Sequence, residues 1–293
     1  MKKLFTLCAV WVLTACTTLN IPLNMRAMDI QFVAEINGQP FACGHQYHSI
    51  GRTQSTVMPS DFRMFVSDVQ LLRADGSSVP LHLEQDGVWQ HQSLALLDFE
   101  NGQGPCKNGT AATNMRIRGS APVGDYRGIE FTVGVPFAQN HQDPTTALAP
   151  LNTTAMFWNW QGGYKFIKFD TSSTQTSLSG EHGGVRNAPT RFSVHLGSTV
   201  CTSSGKTQPP NNQCQNPNRI QVRLGRFDTK TQAVVVDMGL VLAQANVDVN
   251  AKGTSPGCMS FPNDADCPPI MQVLGLSYDG VKARTPQSFI TAR

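Results

Sequence analysis

The chain has 293 residues and carries 23 Lys and Arg against 20 Asp and Glu, a formal charge of +3 with only 15% of residues charged. That is no footprint for nucleic acid, which calls for a clustered basic face. There is no run of like charge, no internal repeat, and no apolar stretch of bilayer-spanning length.

The N-terminus reads as a targeting segment. Lys2 and Lys3 precede a short apolar run from Leu4 to Val12, followed by Leu13-Thr14-Ala15-Cys16, which resembles a bacterial lipobox. Residues 1–15 are therefore expected to be a signal peptide and Cys16 a lipidated N-terminus, with ordinary cleavage near Ala15 as the simpler rival. Loss of residues 1–15 removes two lysines and no acid, taking the charge from +3 to about +1. Residues 16–28 read as a tether, and 29–293 as a single β domain long enough for a sizeable core. The expected location is the periplasm or the outer membrane of a Gram-negative cell, with contact to the bilayer through lipid alone.

Strand signals dominate the rest of the chain. Ile30 to Ile36 alternates and ends at Asn37-Gly38, a type I′ hairpin signal. Phe62 to Leu72, Gly128 to Val133, Phe157 to Phe169, Phe192 to Leu196, Ile220 to Leu224 and Ala233 to Leu242 also read as strands, being β-branched or aromatic and punctuated by Gly and Pro. A turn of helix is expected only within Asp143 to Leu151. The expected fold is all-β: an antiparallel sandwich or barrel with long, disulfide-tied loops.

Cysteine use agrees with export. Of eight, Cys8 leaves with the signal and Cys16 is the expected anchor, leaving an even six. Cys201–Cys214 and Cys258–Cys267 would each close a short loop, and Cys43–Cys106 then remains. Other pairings exist in principle. A zinc site is the weaker rival, since no CxxC pair is present.

The hairpin around Asp86-Gly87 places His82 opposite His91 if those two residues form the turn, with Trp89 on the same face. Two such imidazoles could grip one ion, although a hairpin with polar decoration is the commoner outcome. Asp98, Glu100 and Asp143 could in principle serve an enzyme as acid or base, yet Asp, Glu, Asn and Gly together more often make turns. There is no G-x-S-x-G elbow, no C-x-x-C-H haem site, no dinucleotide fingerprint and no phosphate loop.

The densest signal is LNTTAMFWNWQGGYKFIKF at 151–169. On a strand, Trp158 and Trp160 would project to one side. His141, in a loop after VGVPF, and His195, in FSVHLGS on the face opposite Phe192 and Val194, lie upstream and downstream. Imidazole binds both copper states, and thioether favours the reduced one. A sugar-binding or adhesion module stacking Trp158, Trp160 and Tyr164 is the rival from another class.

Seven blocks in order, FVAEINGQPFACG, PSDFRMFVSDVQLL, ALLDFENGQGPC, GIEFTVGVPFAQNHQDP, MFWNWQGGYKF, FSVHLGSTVC and PGCMSFPNDADCPPI, resemble the MbnP-like proteins, the four-cysteine partners of metallo-mystery pairs. The resemblance implies an exported, non-enzymatic, β-rich copper binder. Its copper would be held by His141 and His195, and Trp158 or Trp160 would be oxidised to kynurenine by a MauG-like dihaem partner. It further implies that Cys43, Cys106, Cys201 and Cys214 are the four cysteines. Related copper proteins use a W-x-H ligand pair, and here only Trp89-Gln90-His91 has that spacing, which keeps the hairpin as an alternative metal site.

Overall fold

The computed structural model describes residues 24–176 and 189–293. The expected signal peptide, Cys16 and the expected tether up to residue 23 lie outside the described residues. Within them the chain forms a β-sandwich of a six-stranded and an eleven-stranded sheet, with three short α-helices.

The smaller sheet is built on Met25–Ile36. Ile30, Phe32, Ala34 and Ile36 point inward while Asp29 and Gln31 are exposed, the period-two pattern of a strand with one wet face. Asn37 and Gly38 both take positive φ, 51° and 74°, and Ile36 pairs with Gln39, so the expected tight hairpin forms. The larger sheet is organised by the 19-residue strand Ser55–Arg73, which pairs with Tyr126–Val133 on one side and Gly163–Thr176 on the other. Pro59, which has no N–H to give, falls where the register with Gly163–Thr176 shifts. Phe32 of one sheet meets Phe131 of the other edge-on, ring centroids 5.7 Å apart, inside one continuous apolar core.

Four local expectations are corrected. The sheets are mixed, not wholly antiparallel: Met25–Ile36 pairs in parallel with Val234–Asp237, and Pro189–Gly197 with Gly257–Cys258. The strand expected over Ala233 to Leu242 stops at Asp237, whose carboxylate accepts the Gly239 N–H at 2.8 Å and starts the helix Met238–Leu242. The tether expected to run to residue 28 ends sooner, since Met25 to Met28 already pair with Gly119 to Pro122. The helical turn expected within Asp143 to Leu151 is present in the Thr146 and Ala147 N–H bonds to the Asp143 carbonyl, 3.1 and 2.8 Å, and a short helix, Phe137–Asn140, precedes it. Phe157 to Phe169 is a hairpin, not one strand: Phe157–Asn159 turns back onto Gly163–Thr176.

Three disulfides tie the loops: Cys43–Cys106, Cys201–Cys214 and Cys258–Cys267, the pairs expected from the sequence. The last one pins Cys267, at the start of the helix Cys267–Val273, which has proline in its first turn.

Candidate functional site

The strand Pro189–Gly197 buries Phe192, Val194 and Leu196 in the core and turns Ser193 and His195 to the other face. That face is a ladder of charge. His195 lies opposite Lys168, Ser193 opposite Asp170, Arg63 opposite Lys168, Asp61 opposite Asp170, and Asp98 opposite Arg63. Arg63 holds Asp61 through a two-point contact, Lys168 bridges Asp61 to Asp170, and Ser193 Oγ donates to Asp170 Oδ1 at 2.6 Å. Asp61, Lys168, Asp170, Ser193 and His195 line a cavity of about 500 Å³ that Met259, Arg191 and Lys107 also border.

The hydrogen bond to Asp170 decides which nitrogen of His195 carries its hydrogen. Burial alone would raise the Asp170 carboxyl, but the hydrogen bond from His195 and the neighbouring Lys168 ammonium hold it well below the usual carboxylate range. An ionised carboxylate only accepts, so the 2.7 Å contact means that His195 Nε2 carries a proton and donates it. Nδ1 then remains without a hydrogen-bond partner among the described residues. An imidazole oriented by a carboxylate through one nitrogen and open at the other is how metal-binding histidines are commonly set.

His141 follows the Phe137–Asn140 turn and is buried. Asn140 Nδ2, a donor, lies 3.2 Å from its Nε2, so Nε2 accepts and Nδ1 carries the proton, 3.1 Å from the Trp160 carbonyl. Burial lowers the His141 pKa and keeps the ring neutral. Its Nε2 also stands 3.9 Å from Cys214 Sγ. His141, Cys201 and Cys214 thus bring three donor atoms within 4.8 Å of one another. The two sulfurs are bonded to each other, however, and a disulfide offers no thiolate, so this trio is not a metal site as it stands.

The tryptophans part company. The strand holding Trp158 ends at Asn159, so Trp160 enters the turn and alternation no longer governs it. Trp158 packs against Gly197, on the strand face that His195 shares, and its ring centroid is 5.5 Å from that of Phe261. Lys165 Nζ donates to the Ala155 carbonyl at 2.8 Å and braces this hairpin, its pKa lowered to about 8 by burial and the neighbouring Lys168.

The other candidates fare less well. The hairpin site with His82, His91 and Trp89 loses its premise. Asp86 Oδ1 accepts the N–H groups of Val88, Trp89 and Gln90 and opens the loop, His82 pairs with Ser120 in the smaller sheet, and His91 pairs with Leu94 in the larger. Glu100 spends its carboxylate on the N–H groups of Gly102 and Thr110, and Asp143 spends its own on Thr145, so neither stands ready as an acid or base. Tyr164 is wholly buried and cannot stack on a sugar. Asp170, Lys168 and Asn140 were not foreseen. The signal for the first two was charge at alternate positions of the otherwise apolar run YKFIKFD.

A β-sandwich of two mixed sheets with its loops braced by disulfides defines the class of this protein. The chain belongs to the MbnP family, whose model matches residues 25–260. In structure it is similar to MbnP from Methylosinus trichosporium, with a TM-score of 0.78 and 28% identity, over 92% of this chain and 98% of that one. Among curated proteins, none matches. Family membership links the chain to copper handling and to a non-enzymatic partner role. No helix among the described residues is long and apolar enough to cross a membrane.

Proposed function

We propose that the protein is an exported copper-binding lipoprotein, anchored through Cys16 on the periplasmic or outer-membrane side. Copper would be held by histidine nitrogen and an oxidised tryptophan that a MauG-like dihaem protein produces. The observation that carries this reading is His195: its Nε2 is locked on Asp170 and its Nδ1 is unengaged, in a cavity that the Met259 thioether also lines. Imidazole and thioether together suit copper, and the reduced ion in particular. His141 is the second imidazole of this reading, neutral, with the lone pair on Nε2. A bound ion would supply a one-electron centre, while Asp170 orients the His195 ring and the Trp160 carbonyl and Asn140 orient that of His141.

Trp158 and Trp160 are the candidates for oxidation, which converts indole to kynurenine with loss of one carbon and gain of one oxygen. The test is copper titration of protein produced with and without a dihaem partner, with the intact mass read in parallel. Loss of tight binding in His195→Ala or His141→Ala supports the proposal. Binding untouched by both changes but lost in His82→Ala or His91→Ala moves the site to the hairpin loop. No copper uptake by the partner-treated protein under reducing conditions overturns it.

A further inference from the structure

A cavity of about 720 Å³ lies away from both imidazole settings, where the N-terminal chain enters the fold. Tyr126 forms its floor, with the guanidinium carbons of Arg26 and Arg73 5.1 Å and 6.0 Å from the ring centroid. The aromatic face holds both cations in place without neutralising them. Arg226 and Lys230 complete the rim, and Arg127 is already paired with Asp125 at 3.0 Å. Counting Asp228 as well, five cations face two carboxylates. Among the described residues Arg26, Arg73 and Arg226 form no direct ion pair, Arg73 only acting at a distance on Asp75, and the buried Nε of Arg26 has no hydrogen-bond partner. Unpaired guanidinium groups converging on one concavity want an oxyanion, and their planar forks match phosphate better than ammonium does.

The geometry points to a phosphate-binding cleft that engages the phosphodiester headgroups of an anionic bilayer. Position selects that source of phosphate. Val123 N–H donates to the Asn24 carbonyl at 2.9 Å, so the segment leading back to Cys16 leaves from the rim of the cleft. Cys16 and Asn24 are eight residue steps apart, which reach at most roughly 29 Å when extended and keep the cleft close to any membrane that holds the lipid. The choice of headgroup rests on the proposed anchor; the phosphate chemistry does not. Attraction of this kind is strong only near the surface and weakens with salt.

The experiment uses the full chain with Cys16→Ser, so that no lipid contributes, and compares it with the same chain carrying Arg26→Ala and Arg73→Ala. Each is sedimented with phosphatidylglycerol vesicles and with phosphatidylcholine vesicles, and inorganic phosphate is titrated separately. The expected result is retention on phosphatidylglycerol that falls at least tenfold in the double variant and is competed by phosphate. Arg226→Glu, on the rim, should lower it as well. Phosphate binding without vesicle binding keeps the cleft and overturns the membrane as its source. Equal retention of both chains, or none by either, overturns the proposal. Copper uptake should be the same in all of them, so a failed cleft and a failed copper site are told apart.

Discussion

Trp158 and Gly197 are in direct contact: a Cβ at position 197 would lie 2.4 Å from Cζ3 of the indole and 2.8 Å from the Tyr164 carbonyl oxygen. Glycine is required there because the hairpin arm carrying Trp158 crosses the strand two residues beyond His195. Gly197→Ala should push the indole out, destabilise the protein by about 1–3 kcal/mol, and shift tryptophan emission. Chemical denaturation followed by fluorescence checks both, and an unchanged midpoint would contradict the contact.

Asp170→Asn retains the shape of the cavity but replaces the carboxylate that orients His195. Copper affinity should drop about 10–100-fold, with His195→Ala weaker still. If Asp170→Asn binds copper as the parent does, the imidazole is not oriented for metal by that carboxylate.

Asp98 sets a pH dependence. Burial lifts its carboxyl to about 8, with Glu100 and Asp61 adding to the rise against the pull of Arg63. Between about pH 4 and 8 the native state therefore holds a proton that the unfolded chain has released, so stability falls as pH rises, by at most about 1.4 kcal/mol per pH unit. Asp170 acts in the opposite sense, since its lowered pKa gives stability that is present above about pH 4 and lost on acidification. Urea unfolding at pH 5, 6.5 and 8 should show a shallower decline in Asp98→Asn than in the parent. Parallel declines would remove Asp98 as the cause.

The Cys201–Cys214 bridge closes a short loop, 13 residues apart in sequence, beside His141. Replacing both cysteines with serine should cost about 3 kcal/mol and leave copper stoichiometry unchanged, because disulfide sulfur is not the donor. Loss of copper from a variant that still folds by circular dichroism would instead make these sulfurs ligands.

Several features were readable in the residues because their causes are local. Alternation marked Ile30 to Ile36 and Phe192 to Leu196, Asn37-Gly38 marked its hairpin, and the short spacing of Cys201–Cys214 and Cys258–Cys267 marked their loops. Where two local signals compete, reading fails. Asp86-Gly87 looks like a two-residue turn, but the Asp86 carboxylate gathers three N–H groups and separates His82 from His91. Asp237 likewise turns an apolar run from strand to helix.

The residues alone thus settled an exported-type cysteine pattern, a β architecture, and which face of its strand His195 occupies, since periodicity and loop closure act over a few positions. Only folding decided that His195 meets Asp170, that Trp158 lies on Gly197, and that Trp160 offers its carbonyl to His141. Those meetings join segments about 19 to 39 residues apart through sheet register and a turn, and a register shifted by one position would have turned every such side chain to the opposite face.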